Sequence, residues 1–249
     1  MSFSATWLSQ REPYDHAARS SALAWRFAEA VGAGRVLDLG GGQGSGARYL
    51  REHGAADLDV WVVDHDEELL AHAAEAGFPT AEADLRAFDW PDADALHCQA
   101  LLDLVSWAWL ETFIERLVAR PMPLLATLSV DGRVSFDPSD PDDEEVLSCF
   151  RAHQSLDRGF GPSPGPRAGH VLAQRLEVAG WTVVVEQADW QIPSDDVAMV
   201  RSMVDGIVEA AAHMSVKPDR IRAWGARRSG SMTVGHIDVL ALPPEGRST

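Results

Sequence analysis

The strongest chemical signal in the sequence is a run of glycines that directly follows an apolar segment. Residues 36–46 read VLDLGGGQGSG, in which an acid is followed by glycines at alternate positions: Asp38, Gly40, Gly42 and Gly44. Glycines in a strand-to-helix turn let the backbone approach a ligand closely and direct amide N–H groups toward it. The dinucleotide-binding pattern G-x-G-x-x-G is absent, because no frame through these glycines ends on a glycine.

Two further acids end the next apolar segments along the chain. Asp64 ends the segment VWVVD, about 20 residues after the glycines, where a carboxylate can accept hydrogen bonds from ribose hydroxyls. Asp84 ends the segment AEAD. Ligands of open α/β sheets bind at the carboxyl ends of the strands, so these acids are predicted to lie at one edge of a sheet.

This ordered set of acids and glycines resembles the motifs of class I methyltransferases that depend on S-adenosylmethionine (SAM). The resemblance spans Arg35–Val130 for the cofactor motifs and Trp181–Leu240 for a reversed pair of closing strands. It implies SAM as the cofactor, with the glycine loop around its methionine part and ribose. The implied cofactor contacts are Asp38, Gly40, Gly42, Gly44, Asp64, His65 at the rim, Asp84 and Leu85 at the adenine, and Gln99 at the end of the fourth strand.

The N-terminal stretch is similar to the cap of many small-molecule members of that family. In such caps an arginine often pairs with the SAM carboxylate through two parallel hydrogen bonds. Arg19 is the first candidate for this contact and Arg11 the second, and Tyr14 is predicted to contact the substrate. A solvated arginine on a helix face is the alternative interpretation of Arg19.

Two groups of residues are candidates for the substrate side. Asp103 and Trp107 follow the fourth strand, where the family places groups that face the sulfonium and the substrate; a helix N-cap and core packing are their alternative roles. The second group, His153, Asp157 and Arg158, precedes a glycine- and proline-rich stretch. A histidine can take a proton near neutral pH, an aspartate can orient it and an arginine can hold an anionic group. A helix end with a satisfied salt bridge is the alternative. The predicted catalytic residues are therefore His153 and Asp103, and the predicted substrate contacts are Tyr14, Trp107, Asp157 and Arg158.

The segments between these residues predict the elements that position them. Strand-like and helix-like segments alternate from Arg35 onward, which is typical of βαβ units and a parallel sheet. An amphipathic stretch predicts one helix over Asp15–Val31, and Met232–Leu240 alternates as a final strand. We therefore predict an α/β fold with a Rossmann-like seven-stranded, mostly parallel sheet, helices on both faces and an antiparallel edge strand. One domain is expected, with a helical cap over residues 1–34, a cofactor-binding half over 35–130, and a substrate-side insert with the closing strands over 131–249.

Composition narrows the class of partner. The 249 residues carry a formal net charge of -17 at pH 7, which disfavours binding to nucleic acid and to anionic membranes. The [DN]-P-P-[YF] signature of DNA and protein amide methyltransferases is absent after the fourth strand. No signal peptide or membrane span is recognised, and the two cysteines have no metal-ligand spacing, so a reducing cytoplasm and no metal are expected.

The sequence thus predicts methyl transfer from SAM to an oxygen, nitrogen or carbon atom of a small metabolite. A SAM-binding regulatory protein without catalysis is one alternative, and an NAD(P)-dependent oxidoreductase is another. The missing G-x-G-x-x-G pattern counts against the oxidoreductase, whereas only the polar residues beyond the cofactor motifs count against the regulatory protein.

Overall fold

The architecture is a central sheet with helices on both faces, seen in a computed structural model that describes residues 3–54, 58–90, 92–157 and 159–244. The strands are β1 (Arg35–Leu39), β2 (Asp59–Asp64), β3 (Thr80–Glu82), β4 (Ala95–Gln99), β5 (Leu124–Asp137), β6 (Thr182–Gln187), β7 (Trp190–Ile192) and β8 (Ser231–Leu242). The helices are α1 (Ala5–Ala18), α2 (Ser21–Val31), α3 (Ser45–His53), α4 (Glu67–Glu75), α5 (Trp107–Ala119), α6 (Asp143–Gln154), α7 (Ala168–Val178), α8 (Val197–Met214) and α9 (Pro218–Arg227).

The strand order confirms the predicted Rossmann-like α/β fold. The sheet runs β3-β2-β1-β4-β5-β8-β6, with β7 paired to β8. Strands β1 to β5 pair in parallel, and β8 runs antiparallel to its neighbours β5, β6 and β7 at one end of the sheet. The described residues hold eight strands rather than seven, because the short β7 adds a strand against β8.

The predicted helix over Asp15–Val31 is two helices in the structure. Arg19 has extended backbone angles and ends α1, and the Ser20 side chain accepts a hydrogen bond from the amide of Leu23 to start α2. The buried carboxylate of Asp238 on β8 also accepts a hydrogen bond from the Ser20 amide, at 2.9 Å. A serine N-cap is strong enough to start a new helix inside an amphipathic pattern.

Apolar side chains form three clusters around this framework. One lies between the sheet and helices α5 and α7, and a second lies under α2, α3 and α4 on the opposite face. The third joins α6, α8 and α9 to β7 and the ends of β5 and β8. Its helices α6, α8 and α9 come from the part of the chain after the parallel strands, and they build one wall beside the carboxyl ends of β4 and β5. Within the described ranges no helix is long and apolar enough to cross a membrane.

Candidate active site

The loop between β1 and α3 needs glycine at each of the alternate positions. Gly40, Gly42 and Gly44 have φ angles of 65°, 53° and 82°, in the left-handed region that side chains other than glycine rarely adopt. The amides of Gly40 and Gly41 both donate to the carbonyl of Val63 at the end of β2, at 2.8 and 3.2 Å. These bonds tie the loop to the neighbouring strand and turn it around the carboxyl end of β1.

Two other glycines are required because of close packing rather than backbone angle. A Cβ atom on Gly41 would lie 2.7 Å from Oδ2 of Asp38, and one on Gly46 would lie 2.5 Å from Cε1 of His97. Asp38 and His97 are both buried, and Nδ1 of His97 donates to Oδ1 of Asp38 at 2.7 Å. Asp38 and His97 therefore form a buried pair directly beneath the loop.

Asp64 holds the loop from the side of β2. Its Oδ2 accepts from the amide of Gly42 at 2.9 Å, and its Oδ1 accepts from the amides of His65 and Asp66 at 2.7 and 3.1 Å. Nδ1 of His65 also lies 3.1 Å from Oδ1. Each carboxylate oxygen offers about two lone-pair sites, so Oδ2, which accepts from the Gly42 amide, has room for one further donor. Asp64 therefore combines a structural role in the loop with a remaining acceptor on the cavity wall.

The side of the site near β3 is built from a charged pair and an aromatic stack. Arg86 donates from Nε to both carboxylate oxygens of Asp84 at 2.9 Å, and these bonds lower the pKa of Asp84 to about 2. The indole N–H of Trp109 donates to the carbonyl of Leu85 at 2.9 Å, and the ring packs edge-on against Phe160. Asp84 is therefore already paired, and Leu85 and Phe160 provide the apolar surface.

Helix α1 lies across the glycine loop and closes the site from above. Both carboxylate oxygens of Glu12 accept from Arg48 on α3 at 2.7 Å, and these bonds and the Arg48 charge outweigh partial burial to lower the pKa of Glu12. Nε of Arg11 lies 3.0 Å from Oδ2 of Asp15, and the same Asp15 accepts from the indole N–H of Trp190. The helix is thus fastened to α3 beside the loop through Glu12 and to β7 through Asp15.

These elements enclose a cavity of about 310 Å³ at the carboxyl ends of the parallel strands. Seven of the predicted cofactor residues line it: Gly40, Gly42, Asp64, His65, Asp84, Leu85 and Gln99. Lining residues without a predicted role include Phe3, Leu8, Gln43, Leu69 and Phe160, together with Arg11, the second candidate for the carboxylate contact. The side-chain oxygen of Gln99 is buried and finds no hydrogen-bond donor among the described residues.

Three of the predicted cofactor residues lie behind the cavity wall. Asp38 is in the buried pair with His97, and Gly44 packs against Ala73 as the N-cap of α3. Arg19 is 5% exposed, and its guanidinium donates to the backbone carbonyl of Ser45 at 3.3 Å. Burial lowers the pKa of Arg19, and the charges of Asp15, Asp238 and Asp38 oppose that effect. Arg19 is therefore placed to balance buried carboxylates, whereas Arg11 is the arginine on the wall.

A second cavity, of about 200 Å³, adjoins the first and shares Phe3, Arg11, Ala100 and Leu104 with it. Its other lining residues include Trp7 of α1, Asp103 after β4, Phe150 and Gln154 of α6, and Trp190 and His236 of the closing strands. Of the predicted catalytic and substrate residues, Asp103 lies in this wall. Gln154 and His236 also lie in this wall and were not among the predicted site residues.

Among the described residues, the other predicted catalytic and substrate residues line neither cavity. His153 packs edge-on against His213 with ring centroids 5.5 Å apart. Tyr14 donates to Asp196 at 2.6 Å, and burial with this bond raises its pKa to about 12. Trp107 packs under the guanidinium of Arg167. Asp157 accepts from the amides of Gly159 and Gly161, so it shapes the loop that carries Phe160. Arg158 lies outside the described residues.

The surroundings of His236, in the wall of the second cavity, lower its pKa strongly. It is 3% exposed, and burial together with the charge of Arg11 lowers its pKa from 6.5 to about 3. Its Nδ1 lies 3.0 Å from the carbonyl of Val234, which can only accept, so Nδ1 carries the proton. The neutral ring therefore leaves Nε2 as a lone-pair acceptor.

From the lowered pKa of His236 we predict how the stability of the protein depends on pH. Between pH 3 and 6.5 the unfolded chain binds a proton at this position that the folded chain does not, so stability rises with pH in this window and falls as the pH is lowered. Between pH 6 and pH 5 this group should remove about 1 kcal/mol of the free energy of unfolding. Urea titrations of the wild type and His236→Asn should differ in pH slope by that amount. Identical pH slopes for the two proteins would mean that folding does not lower the pKa of His236.

Comparison with known proteins gives a family match over part of the chain. Residues 36–120 match a family model described as a methyltransferase domain. TehB from Haemophilus influenzae is similar in structure, with a TM-score of 0.51, 14% identity, and coverage of 91% of this chain and 63% of that chain. The DhpI–SAH complex gives a TM-score of 0.47, 17% identity and coverage of 97% and 90%.

Human N-acetylserotonin methyltransferase in complex with SAM gives a TM-score of 0.44 and 18% identity over 73% of this chain. The chain spans about half of that protein, 49% of its length. No curated protein sequence matches the chain significantly.

Proposed function

We propose that the chain is a class I SAM-dependent methyltransferase whose first cavity holds SAM and whose second holds a small-molecule methyl acceptor; residues 36–120 match a family model described as a methyltransferase domain. The two cavities adjoin, and this observation carries the proposal. They share a wall of four residues: Phe3, Arg11, Ala100 and Leu104. A donor in one cavity and an acceptor in the other would meet across that wall, which is the alignment that an in-line displacement requires.

The chemical groups that line the first cavity match those of SAM. Its volume of about 310 Å³ lies at the lower end of the range of small-molecule sites. Arg11 bonds Asp15 through Nε and Nη2, so Nη1 is the nitrogen that we propose for a carboxylate. The buried oxygen of Gln99 lacks a donor that an ammonium group would provide. Asp64 retains one acceptor position for a ribose hydroxyl. The left-handed glycines keep side chains out of the space next to the loop.

When bound, SAM supplies an electrophilic methyl group: an acceptor lone pair forms the new bond, the C–S bond electrons return to sulfur, and the acceptor loses a proton where it carried one. The chain's own residues hold SAM and the acceptor in position and enclose them. The Glu12–Arg48 pair holds α1 over the loop, where the helix would help to exclude water from the space between the cavities. Asp103 stands in the wall of the second cavity and is the predicted catalytic residue that faces an acceptor.

The size and charge of the site favour a small metabolite over a macromolecule. The second cavity is about 200 Å³, and the chain has a net charge of -17, which repels nucleic acid. We place the protein in the cytoplasm because Cys98 and Cys149 are both unpaired.

Calorimetry with S-adenosylhomocysteine (SAH) tests the cofactor assignment. We expect binding in the micromolar range, on the order of -8 kcal/mol, and no comparable response to NADH. Tight NADH binding without a response to SAH would support the oxidoreductase alternative instead. Conversion of SAM to SAH over a panel of small hydroxyl and amine compounds then separates an enzyme from a regulatory SAM-binding protein, which would bind and not turn over.

A further inference from the structure

The polar groups of the second cavity are nearly all committed to partners within the protein. Arg11 is paired with Asp15, and Arg133 binds both Asp131 and Asp189, whose hydrogen bonds raise its pKa. Each cation in the wall is thus balanced by a carboxylate of the chain itself. An anionic ligand would have to displace one of these pairs and would lie in the same wall as the carboxylate of Asp103, so the wall disfavours an anion.

Two hydrogen-bond acceptors in the wall remain without a donor. Oε1 of Gln154 is buried and finds no donor among the described residues, and the residue is 6% exposed. His236 uses Nδ1 to donate to Val234, which leaves Nε2 as an acceptor. Both side chains line the same cavity. A buried acceptor without a donor is unfavourable, and a ligand that brings an O–H or N–H group to this wall would supply the donor.

Four aromatic side chains lie in the wall among aliphatic residues. Phe3, Trp7, Phe150 and Trp190 all line the cavity, and the rings of Trp7 and Trp190 lie 6.5 Å apart at 62°. Trp190 is held in place by its hydrogen bond to Asp15 and by the guanidinium of Arg11, 5.0 Å from its ring centre. Fixed aromatic rings favour flat, polarisable partners through edge-to-face or offset stacking. The volume of about 200 Å³ lies below that of sites for drug-sized molecules, which suits one or two rings.

We propose, on the assignment of this cavity to the methyl acceptor, that the acceptor is an aromatic compound of one or two rings without an anionic group, whose O–H or N–H donates to Nε2 of His236 or Oε1 of Gln154. His236 and Gln154 are then the residues that select a donating substituent, and the aromatic residues select the ring. This inference goes beyond the general small-molecule function because it names the charge, shape and hydrogen-bonding sense of the substrate.

Three matched probes test this specificity on the full chain: 2-naphthol, 2-methoxynaphthalene and 2-naphthoate. Each is titrated by calorimetry with and without saturating SAH. We expect 2-naphthol to bind about tenfold more tightly than the methyl ether, which lacks the donor and corresponds to the loss of one hydrogen bond. The naphthoate anion should bind more weakly than 2-naphthol.

Two variants assign the selectivity to the named residues. His236→Asn keeps a side-chain N–H for Val234 and removes the Nε2 acceptor, and Gln154→Met keeps the length and removes Oε1. Each should lower 2-naphthol affinity several-fold and leave the affinities for SAH and the methyl ether unchanged. Gln174→Met, on the exposed face of α7, is the matched control and should change none of these values.

The outcomes separate this inference from the proposed function. Equal binding of 2-naphthol and its methyl ether, tighter binding of naphthoate, or no probe binding to a chain that binds SAH normally would each overturn the inference. Failure of SAH itself to bind would overturn the proposed function, while the naphthol comparison without SAH would still report on the second cavity.

Discussion

Replacing Asp38 with alanine is expected to lower the free energy of unfolding by about 3–5 kcal/mol, because it removes one partner of a buried, hydrogen-bonded pair. The carboxylate has no exposed surface, and Nδ1 of His97, 1% exposed, donates to it at 2.7 Å. Its charge also offsets the buried guanidinium of Arg19. Without it, the imidazole N–H and the guanidinium charge stay buried with less compensation.

Urea unfolding of Asp38→Ala and Asp38→Asn measures this effect. The asparagine variant keeps an acceptor for His97 and removes the charge, so it should lose clearly less stability than the alanine variant. Exposed Asp89→Ala is the control and should be within about 0.5 kcal/mol of the wild type. An alanine variant as stable as that control would show that the pair contributes nothing, and the requirement for glycine at 41 and 46 would then need another cause.

The glycine loop was predictable because its geometry is a local property. Alternate glycines at Gly40, Gly42 and Gly44 coincide with left-handed backbone angles, and this requirement can be recognised in a short stretch of sequence. The need for Gly41 and Gly46 was not visible, since it depends on the position of Asp38 and of His97, which is 59 residues from Asp38. Periodicity predicts local conformation, whereas close packing depends on the tertiary fold.

The choice between the two arginines could not be made from the pattern alone. One continuous amphipathic helix would place Arg19 on the same element as the cap, but the Ser20 N-cap breaks the helix at this point. Arg19 then turns toward the carboxylates behind the loop, and Arg11, within α1, lies on the cavity wall. The one-residue break between the helices therefore leaves Arg11, rather than Arg19, on the cavity wall.

The second cavity was the least predictable feature because no single segment contains it. Its wall combines α1, the turn after β4, the long β5, α6, β7 and β8, so it crosses all three divisions expected from the sequence. His153 and Gln154 are neighbours in the chain, yet successive helical residues point about 100° apart, and Gln154 is the one that lines the cavity. Proximity to the glycine-rich loop therefore indicated helix α6, but it did not indicate which face of that helix lines the cavity.

Replacing Asp64 with alanine is expected to weaken SAH binding by about 1.5–3 kcal/mol, which is roughly 10- to 150-fold in the dissociation constant. Two contributions add to this loss. The carboxylate orders the loop by accepting from the amides of Gly42, His65 and Asp66, and its remaining acceptor position is proposed to take a ribose hydroxyl. Glu67→Ala, at an exposed position on α4, is the control and should leave SAH affinity unchanged.

A ligand without ribose hydroxyls separates the two contributions. The wild type should bind SAH more tightly than its 2′,3′-dideoxy analogue, because the analogue leaves the free position of Asp64 without a donor. In Asp64→Ala that difference should shrink or vanish, while both ligands bind more weakly than to the wild type because the loop is less ordered. A variant that loses affinity for both ligands equally and keeps the wild-type preference for SAH would assign Asp64 to the loop alone. The ribose would then have to be recognised by another group in the wall, of which His65, directly beside it and 57% exposed, is the nearest with a hydrogen-bonding side chain.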